Sequence, residues 1–205
     1  MNNNELTANI VEIKIDEPPV QVTYPQVQGL KDKDVQEEIN RLIREQVNTL
    51  MVEQGVREEL LEMTGNYRIT LNKKGLLSIR FENFSFIKFA AHPSTAVKSL
   101  TIDLKTGKKY DIVDFFEIGD SYRLIIRNII NREIKERGIQ LIVDFKGISD
   151  NQNYYLTNNS VVIYYQEAEL AARVWGILEF PIPFTYLRNV IDKDGPLAGL
   201  AGSNA

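Results

Sequence analysis

The sequence predicts an α+β fold with mainly antiparallel sheets and two principal amphipathic helices packed on them. Three observations support this, the first being that apolar and polar residues alternate over several short stretches, as in half-buried strands. The second is that tight turns join neighbouring stretches, as in antiparallel hairpins. The third is that two longer stretches space their apolar residues at helical intervals. Because strands and helices do not alternate regularly, a doubly wound parallel sheet is not expected.

The first half of the chain is expected to begin with two extended stretches and a long helix. Residues 9–15 (NIVEIKI) alternate, and residues 20–27 (VQVTYPQV) continue as an extended segment after a Pro-Pro pair. Asp34 and Glu37 have the spacing of a capping box at the start of the helix. The helix pattern places Glu, Arg and Asn residues opposite an apolar stripe formed by Val35, Ile39, Leu42, Ile43, Val47 and Leu50.

A strand pattern follows this helix. Residues 67–71 and 77–81 alternate on the two sides of a Lys-Lys-Gly turn. After residue 81 the alternation shifts by one position, which predicts a β-bulge near Glu82–Asn83. The next strand, SLTIDL, leads into a turn in which Gly107 supplies a positive φ.

A second helix is expected in the second half of the chain. Asp120 or Ser121 begins it, and Gly138 is placed to end it. Its apolar stripe comprises Tyr122, Ile125, Ile126, Ile129 and Ile130. The following residues, 139–152, fit either a short strand or a loop.

A hairpin and a last strand complete the pattern. The hairpin over residues 154–165 turns at Asn158-Asn159, since Asn tolerates left-handed backbone. The strand over residues 174–183 contains two prolines near its end, which predicts a position at a sheet edge. A short helix near residues 185–191 is expected to close the fold.

Two subdomains are expected. The first spans residues 10–90 and the second residues 91–191, with the boundary at His92-Pro93, where proline confines the preceding residue to extended backbone. The remaining residues, 1–9 and 192–205, are polar or rich in Gly and Ala, and we expect them to be flexible tails.

Composition excludes several classes of function. The net charge of −4 provides no overall attraction to nucleic acid, so no nucleic-acid partner is expected. The absence of cysteine excludes disulfides, thiolate metal sites and cysteine nucleophiles. No apolar run approaches the ~18 residues that cross a bilayer. The first ten residues lack the layout of a signal peptide, so the protein is expected either in the cytoplasm or outside it after removal of an export segment.

His92 is the only histidine. A site with two histidine ligands is therefore impossible, and no metal or cofactor is expected. A general base needs a positioned acid, nucleophile or substrate beside it, so a structural role at the subdomain junction is favoured over catalysis. The alternative, an enzyme that uses His92 with nearby carboxylates, stays open. The KTGKK turn lacks the upstream glycine of a phosphate loop.

The candidate binding residues are carboxylates and aromatic side chains near the end of the chain, together with His92. Glu167 and Glu169 share a face if they lie on a strand and diverge if they lie on a helix. Tyr164, Tyr165 and Trp175 belong to residue types that often anchor protein partners, and that more often form core and sheet faces.

Four segments resemble, in order, the extracellular paired domains of RsiV-type anti-sigma factors and PdaC-type peptidoglycan deacetylases. They are YPQVQGLKDKDVQEEIN (24–40), AAHPSTAVKSLTIDLKTGKKYDIVDFF (90–116), NYYLTNNSVVIYYQEAELA (153–171) and WGILEFPIPFTYL (175–187). Within this resemblance, residues 10–90 look like the PdaC-type amino-terminal domain and residues 91–191 like the associated RsiV-like carboxy-terminal domain.

The resemblance implies an α+β fold, a firmicute-like origin and a place in the cell envelope or outside the cell. In the RsiV type this module binds lysozyme, which implies a lysozyme-like protein or peptidoglycan as partner. The chain lacks the histidine pair of a deacetylase catalytic domain, so deacetylation is not carried over. The leading hypothesis is a non-enzymatic envelope recognition module, and the alternatives are the enzyme above and a cytoplasmic or spore-associated structural protein.

Overall fold

A computed structural model describes residues 6–55 and 59–201. The chain divides into two compact units, the first ending at Lys109 and the second beginning at Tyr110. The first unit contains β1 (Asn9–Glu17), β2 (Val20–Gln28), α1 (Lys33–Glu53), β3 (Leu60–Lys73), β4 (Leu76–Ile87) and β5 (Ser94–Asp103). The second contains α2 (Ser121–Glu136), β6 (Tyr154–Leu156), β7 (Ser160–Tyr165), β8 (Leu178–Pro183), α3 (Phe184–Leu187), α4 (Ala198–Ala201) and two 3-10 turns (Ile112–Phe115 and Arg173–Trp175). The predicted α+β class, with two long helices, is confirmed.

The division between the units lies later in the chain than the expected boundary between residues 90 and 91. β5 pairs antiparallel with β4 along its whole length, so it completes the first sheet and does not begin the second unit. The first sheet has the order β1-β2-β3-β4-β5. A short connection after β4 favours pairing between strands that are neighbours in sequence, which explains why the strand after His92-Pro93 stays with the first unit.

The sheet of the first unit is antiparallel except where β2 meets β3. These two strands pair in parallel only over Val20–Val22 and Met63–Gly65. Further along β2, the side chain of Asn40 from α1 forms the hydrogen bonds that a neighbouring strand would otherwise form. Its Oδ1 accepts from the Val27 N–H at 2.8 Å, and its Nδ2 donates to the Val27 carbonyl at 3.0 Å. Asn40 is therefore buried, although the helical pattern placed it on the polar face.

Helix α1 packs the predicted stripe against the sheet, with Ile39, Ile43, Val47 and Leu50 buried. Its N-cap is Asp32, two residues before the expected cap. The Asp32 carboxylate accepts hydrogen bonds from two backbone N–H groups of the first turn, at 3.0 and 3.1 Å. The predicted spacing thus identified the helix but not the residue that satisfies its free donors.

The bulge expected near Glu82–Asn83 does not form. β4 pairs with β5 residue by residue from Leu76 to Ser85, and the register shifts lie in β3, after Leu60 and after Ile69. Because alternation in β4 is unbroken, the distal half of the strand turns polar residues toward the helix-packed face and aromatic ones away from it. The inward residues are Asn83 and Ser85, and the outward ones are Phe84 and Phe86.

Gly65 lies opposite Asn83 in this sheet and is packed too closely to carry a side chain. A Cβ at Gly65 would collide with Asn83 Oδ1 and would lie 2.9 Å from both methyl groups of Val22. We expect Gly65→Ala to lower the free energy of unfolding by about 2 kcal/mol, through overpacking. Urea denaturation measures the change. Gly65 is not in the left-handed region, so a loss of stability reports its close packing and not backbone strain. Equal stability of Gly65→Ala and the parent chain would contradict the prediction.

The second unit contains a three-stranded antiparallel sheet in the order β6-β7-β8. β6 and β7 form the predicted hairpin around Asn158-Asn159, and the proline-containing β8 is an edge strand of this sheet, as expected. Gly138 has φ of 66° after the last turn of α2, which agrees with its predicted role as helix stop.

The tails are more ordered than expected where the structure describes them. Ala8 is tied to Asn72 through its N–H and its carbonyl, both at 2.8 Å. Near the other end, Leu197 and Leu200 are buried, and the latter lies in α4. Apolar side chains within the Gly- and Ala-rich stretch account for this order, because they have a core to enter. The expectation for residues 1–5 and 202–205 lies outside the described residues.

Candidate recognition surface

Two connections of the second unit come together in a surface that we call the loop-pair surface. It consists of residues 141–146, which follow α2, and residues 166–176, which join β7 to β8. Leu141 forms an antiparallel bridge with Ala171, and the Ile142 N–H donates to the Leu170 carbonyl at 3.0 Å. The two loops are thereby held side by side.

The loop-pair surface presents apolar side chains to solvent. Ile142 and Val143 are each more than half exposed, and Val174 is 89% exposed. The first of the two loops also lines a shallow, open depression. Single exposed apolar residues are ordinary, but β-branched residues grouped on two adjoining loops are typical of a protein interaction site.

Glu167 and Glu169 lie in the turn after β7, and neither faces the other as an acid pair. Glu167 forms an ion pair with Arg173, with Oε2 and Nη1 2.7 Å apart. Glu169 Oε2 accepts from the N–H of Gln166 at 2.6 Å. Both carboxylates therefore hold the shape of their loop, and Trp175 lies half-buried at its end, in a 3-10 turn.

Tyr164 and Tyr165, the other predicted binding residues of this region, belong to the interior. Tyr164 is fully buried in β7, and Tyr165 donates from its hydroxyl to Gln152 Oε1 at 3.4 Å. Burial, together with the charge of Glu169, raises the pKa of Tyr165. All six residues of β7 are buried, so alternation does not bring these aromatic rings to the surface. Their burial excludes direct contact with a partner in this conformation.

His92 lies in the first unit, in the exposed turn between β4 and β5. Within the described part of the chain, no hydrogen bond or ion pair holds its imidazole against a carboxylate, as a general base requires. The turn at Gly107, at the other end of β5, has φ of 75° and is a hairpin connection. There the Asp103 carboxylate accepts from the N–H groups of Lys105 and Thr106 at 2.7 and 2.9 Å.

Across residues 6–55 and 59–201, no group of three or more His, Asp or Glu side chains is arranged to hold a metal ion. No helix in these ranges has both the length and the apolar character needed to cross a membrane. A small cleft beside Tyr24 and Arg44 includes Asn40, whose amide is already engaged by β2.

Charge is unevenly divided between the units. Residues 110–205 carry nine Lys or Arg and thirteen Asp or Glu, whereas residues 1–109 carry fifteen of each. The whole net charge of −4 therefore belongs to the unit that contains the loop-pair surface. Long-range attraction from this unit favours a positively charged partner.

Fold and site thus define an α+β module with an exposed apolar surface on an acidic unit. Residues 113–185, within that unit, match the model of a family described as a protein of unknown function, DUF3298. Over 199 residues the chain is 26% identical to the anti-sigma-V factor RsiV of Bacillus subtilis (strain 168). The alignment covers 88% of this chain and 69% of that protein.

Two solved structures show the same fold. A DUF3298 family member from Bacteroides fragilis NCTC 9343 has a TM-score of 0.67 at 12% identity, covering 99% of this chain and all of the other. A DUF3298 family protein from Pseudomonas aeruginosa PAO1 has a TM-score of 0.63 at 11% identity, covering 93% of this chain and 96% of the other. The fold therefore occurs in proteins with little sequence in common.

Proposed function

We propose that this chain is a non-enzymatic recognition module of the bacterial cell envelope that binds a lysozyme-like protein. The observation that carries the proposal is the 26% identity to the anti-sigma factor RsiV, which extends over 88% of the chain and so includes both units. An anti-sigma factor acts by binding, and the exposed His92 has no carboxylate beside it among the described residues that would support the enzyme alternative. The likeness to PdaC-type deacetylases stays a prediction.

The loop-pair surface supports a protein partner more directly than a glycan. The large apolar side chains that it exposes most are aliphatic: Ile142, Val143 and Val174 form no hydrogen bonds with sugar hydroxyls and suit an apolar protein contact. The ion pair of Glu167 with Arg173 holds the loop in place before binding, which reduces the entropy lost on association. The acidic unit around it attracts a basic protein, such as a hen-type lysozyme.

Calorimetric titration with hen egg-white lysozyme tests the proposal. We expect saturable binding in the micromolar range or tighter, weakening as the salt concentration rises because the attraction is partly electrostatic. Soluble peptidoglycan fragments serve as the competing ligand. Absence of lysozyme binding at high micromolar concentrations would contradict the proposal, and saturable binding of the fragments alone would favour a glycan receptor instead.

Val174→Lys is expected to weaken lysozyme binding by about tenfold or more, because it replaces an exposed apolar contact with a charge that repels a basic partner. The thermal midpoint should not change, since the side chain is 89% exposed. Ile118→Lys makes the same change at another fully exposed position of the unit and is the matched control. Equal effects of the two variants would argue against the loop-pair surface as the contact.

Trp175 provides an independent spectroscopic probe of the same surface. It is the single tryptophan of the chain, so labelling with 5-fluorotryptophan produces one fluorine resonance from residues 166–176. We expect this resonance to shift or broaden on addition of unlabelled lysozyme. A resonance that stays unchanged at saturation would place the contact elsewhere on the molecule.

A further inference from the structure

Strand β1 lies at the edge of the first sheet and pairs on one side only. It pairs with β2 at every position from Asn9 to Glu17, without a register shift. No other strand in the described part of the chain lies along its second side. Edge strands are ordinarily kept from further pairing by shortness, by proline or by a bulge, and none of these occurs within the nine residues of β1.

Two residues of β2 show which positions of β1 face away from it. Pro25 lies opposite Glu12 and has no N–H to donate. Val27 lies opposite Ile10, and the Asn40 side chain already binds both its N–H and its carbonyl. Neither residue can exchange two backbone hydrogen bonds with β1, so Glu12 and Ile10 occupy non-hydrogen-bonded positions of the ladder.

Hydrogen-bonded and non-hydrogen-bonded positions alternate along an antiparallel pair, so Lys14 and Asp16 also face away from β2. The backbone N–H and C=O groups of Ile10, Glu12, Lys14 and Asp16 therefore point outward, along what we call the open edge of β1. Within residues 6–55 and 59–201, no further backbone hydrogen bond engages these groups. The open edge thus has the donors and acceptors for one more antiparallel strand.

A second copy of β1 complements the open edge. When two copies pair antiparallel over all nine residues, Ile13 lies opposite its own counterpart, at a two-fold axis. Glu12 then lies opposite Lys14 of the second copy, and Val11 lies opposite Ile15. Symmetry repeats both pairs. Cross-strand pairs of opposite charge and pairs of β-branched residues stabilise a ladder.

The charges also disfavour the neighbouring registers. A slip of two residues in one direction places Glu12 opposite Glu12, and a slip in the other direction places Lys14 opposite Lys14. Like charges directly opposite each other are destabilising. A slip of one residue would turn one sheet over, so that the helix-packed face of one copy meets the outer face of the other. The first unit carries fifteen Lys or Arg and fifteen Asp or Glu, so its net charge does not oppose self-association.

Pairing would also cover apolar surface on the helix side of the sheet. Val11, Ile13 and Ile15 are only partly buried in the single chain, and Ile13 lines the small cleft beside Tyr24 and Arg44. In the two-fold pair these three side chains lie beside the same three of the second copy. Their remaining exposed area is thereby reduced, which favours association.

We infer that β1 pairs with β1 of a second copy of this chain, so that two first-unit sheets join into one continuous sheet. The contact is isologous and would contain about eight backbone hydrogen bonds, two for each outward-facing pair. The inference does not depend on the proposed function, because the loop-pair surface belongs to the second unit. Self-association and lysozyme binding are therefore tested separately.

Sedimentation equilibrium from about 10 μM to about 1 mM chain tests the inference. We expect the mean mass to rise from that of one chain toward that of two. Lys14→Glu should weaken the association by about tenfold or more, because it places a carboxylate opposite Glu12 of the second copy at two symmetric positions. Lys73→Glu makes the same change at an exposed position of β3 and is the matched control.

Exchange of the two charges separates pairing from a general effect on the fold. Glu12→Lys alone should weaken the association as Lys14→Glu does, since it places two ammonium groups opposite each other. The double variant Glu12→Lys/Lys14→Glu restores opposite charges and should restore the association to within about threefold of the parent chain. A fold damaged by either substitution would not be repaired by adding the second.

Amide hydrogen exchange locates the contact. The amides of Glu12 and Lys14 should exchange fast in dilute chain and become protected as the concentration rises, because they bond only to the second copy. The amide of Ile13, which faces β2, should be protected at every concentration.

Three outcomes would overturn the inference. The first is a mass that stays at one chain up to about 1 mM. The second is association that leaves the Glu12 and Lys14 amides unprotected or that Lys73→Glu weakens as much as Lys14→Glu, since another surface is then responsible. The third is protection of these amides only when hen egg-white lysozyme is added, which would assign the open edge to the partner. The first two outcomes leave the proposed function standing.

Discussion

Replacing Phe115 with alanine is expected to lower the free energy of unfolding of the second unit by about 3–5 kcal/mol. Phe115 is fully buried, in the 3-10 turn before α2. Its ring centroid lies 5.7 Å from that of Tyr110 and 5.4 Å from that of Tyr154, the latter edge-to-face at 80°. Truncation removes both ring contacts and leaves a cavity between segments that cannot close without shifting β6.

The neighbouring turn residue Val113 supplies the control for Phe115. Its side chain is exposed, so Val113→Ala should change the free energy of unfolding by less than about 0.5 kcal/mol. Urea denaturation followed by circular dichroism measures both variants, with the loss of near-ultraviolet signal reporting on the aromatic cluster. If Phe115→Ala lowers the free energy of unfolding by less than about 1 kcal/mol, the Phe115 ring does not stabilise this unit.

The second large effect is expected at Asn40. Replacing Asn40 with leucine preserves the size of the side chain but leaves the N–H and the carbonyl of Val27 without their partners. Val27 is fully buried, so water cannot replace the lost hydrogen bonds without opening the core. We expect a loss of about 3 kcal/mol, since each unsatisfied buried group costs about 1–3 kcal/mol.

Asn48→Leu is the matched change for Asn40→Leu, because Asn48 lies exposed on the same helix. It should leave stability nearly unchanged, since leucine is a better helix former and nothing is left unsatisfied. Hydrogen exchange adds a local measurement: the amide of Val27 should exchange faster in Asn40→Leu than in the parent chain. Equal protection of this amide in both proteins would contradict the assigned hydrogen bond.

Local signals in the sequence predicted most elements of the fold. The apolar stripe of α1 is the buried one, Gly107 adopts its positive φ, and the hairpin turns at Asn158-Asn159. Each of these depends on residues a few positions apart. The binding candidates stay predictions: Glu167, Glu169 and Trp175 lie on one loop, and Tyr164 and Tyr165 are buried because β7 is covered on both faces.

The exposed residues of the candidate site were missed for the opposite reason. Ile142 and Val143 lie in a stretch whose sequence fits a strand or a loop equally well. An apolar residue is ordinarily expected inside, so its exposure has no local sequence signal. The one indication in the sequence was the apolar run from Leu141 to Val143, which does not alternate with polar residues and has no partner strand.

By itself, the sequence determined the fold class, the helices and most strands and turns, because periodicity and backbone preference act between near neighbours. Only the tertiary structure decided that β5 completes the first sheet and that β4 turns Phe84 and Phe86 outward. It also decided that the Asn40 side chain forms the hydrogen bonds with β2 that a neighbouring strand would otherwise form. It also brought residues 141–146 beside 166–176. These outcomes depend on hydrogen bonds and packing between distant segments, which no local pattern encodes.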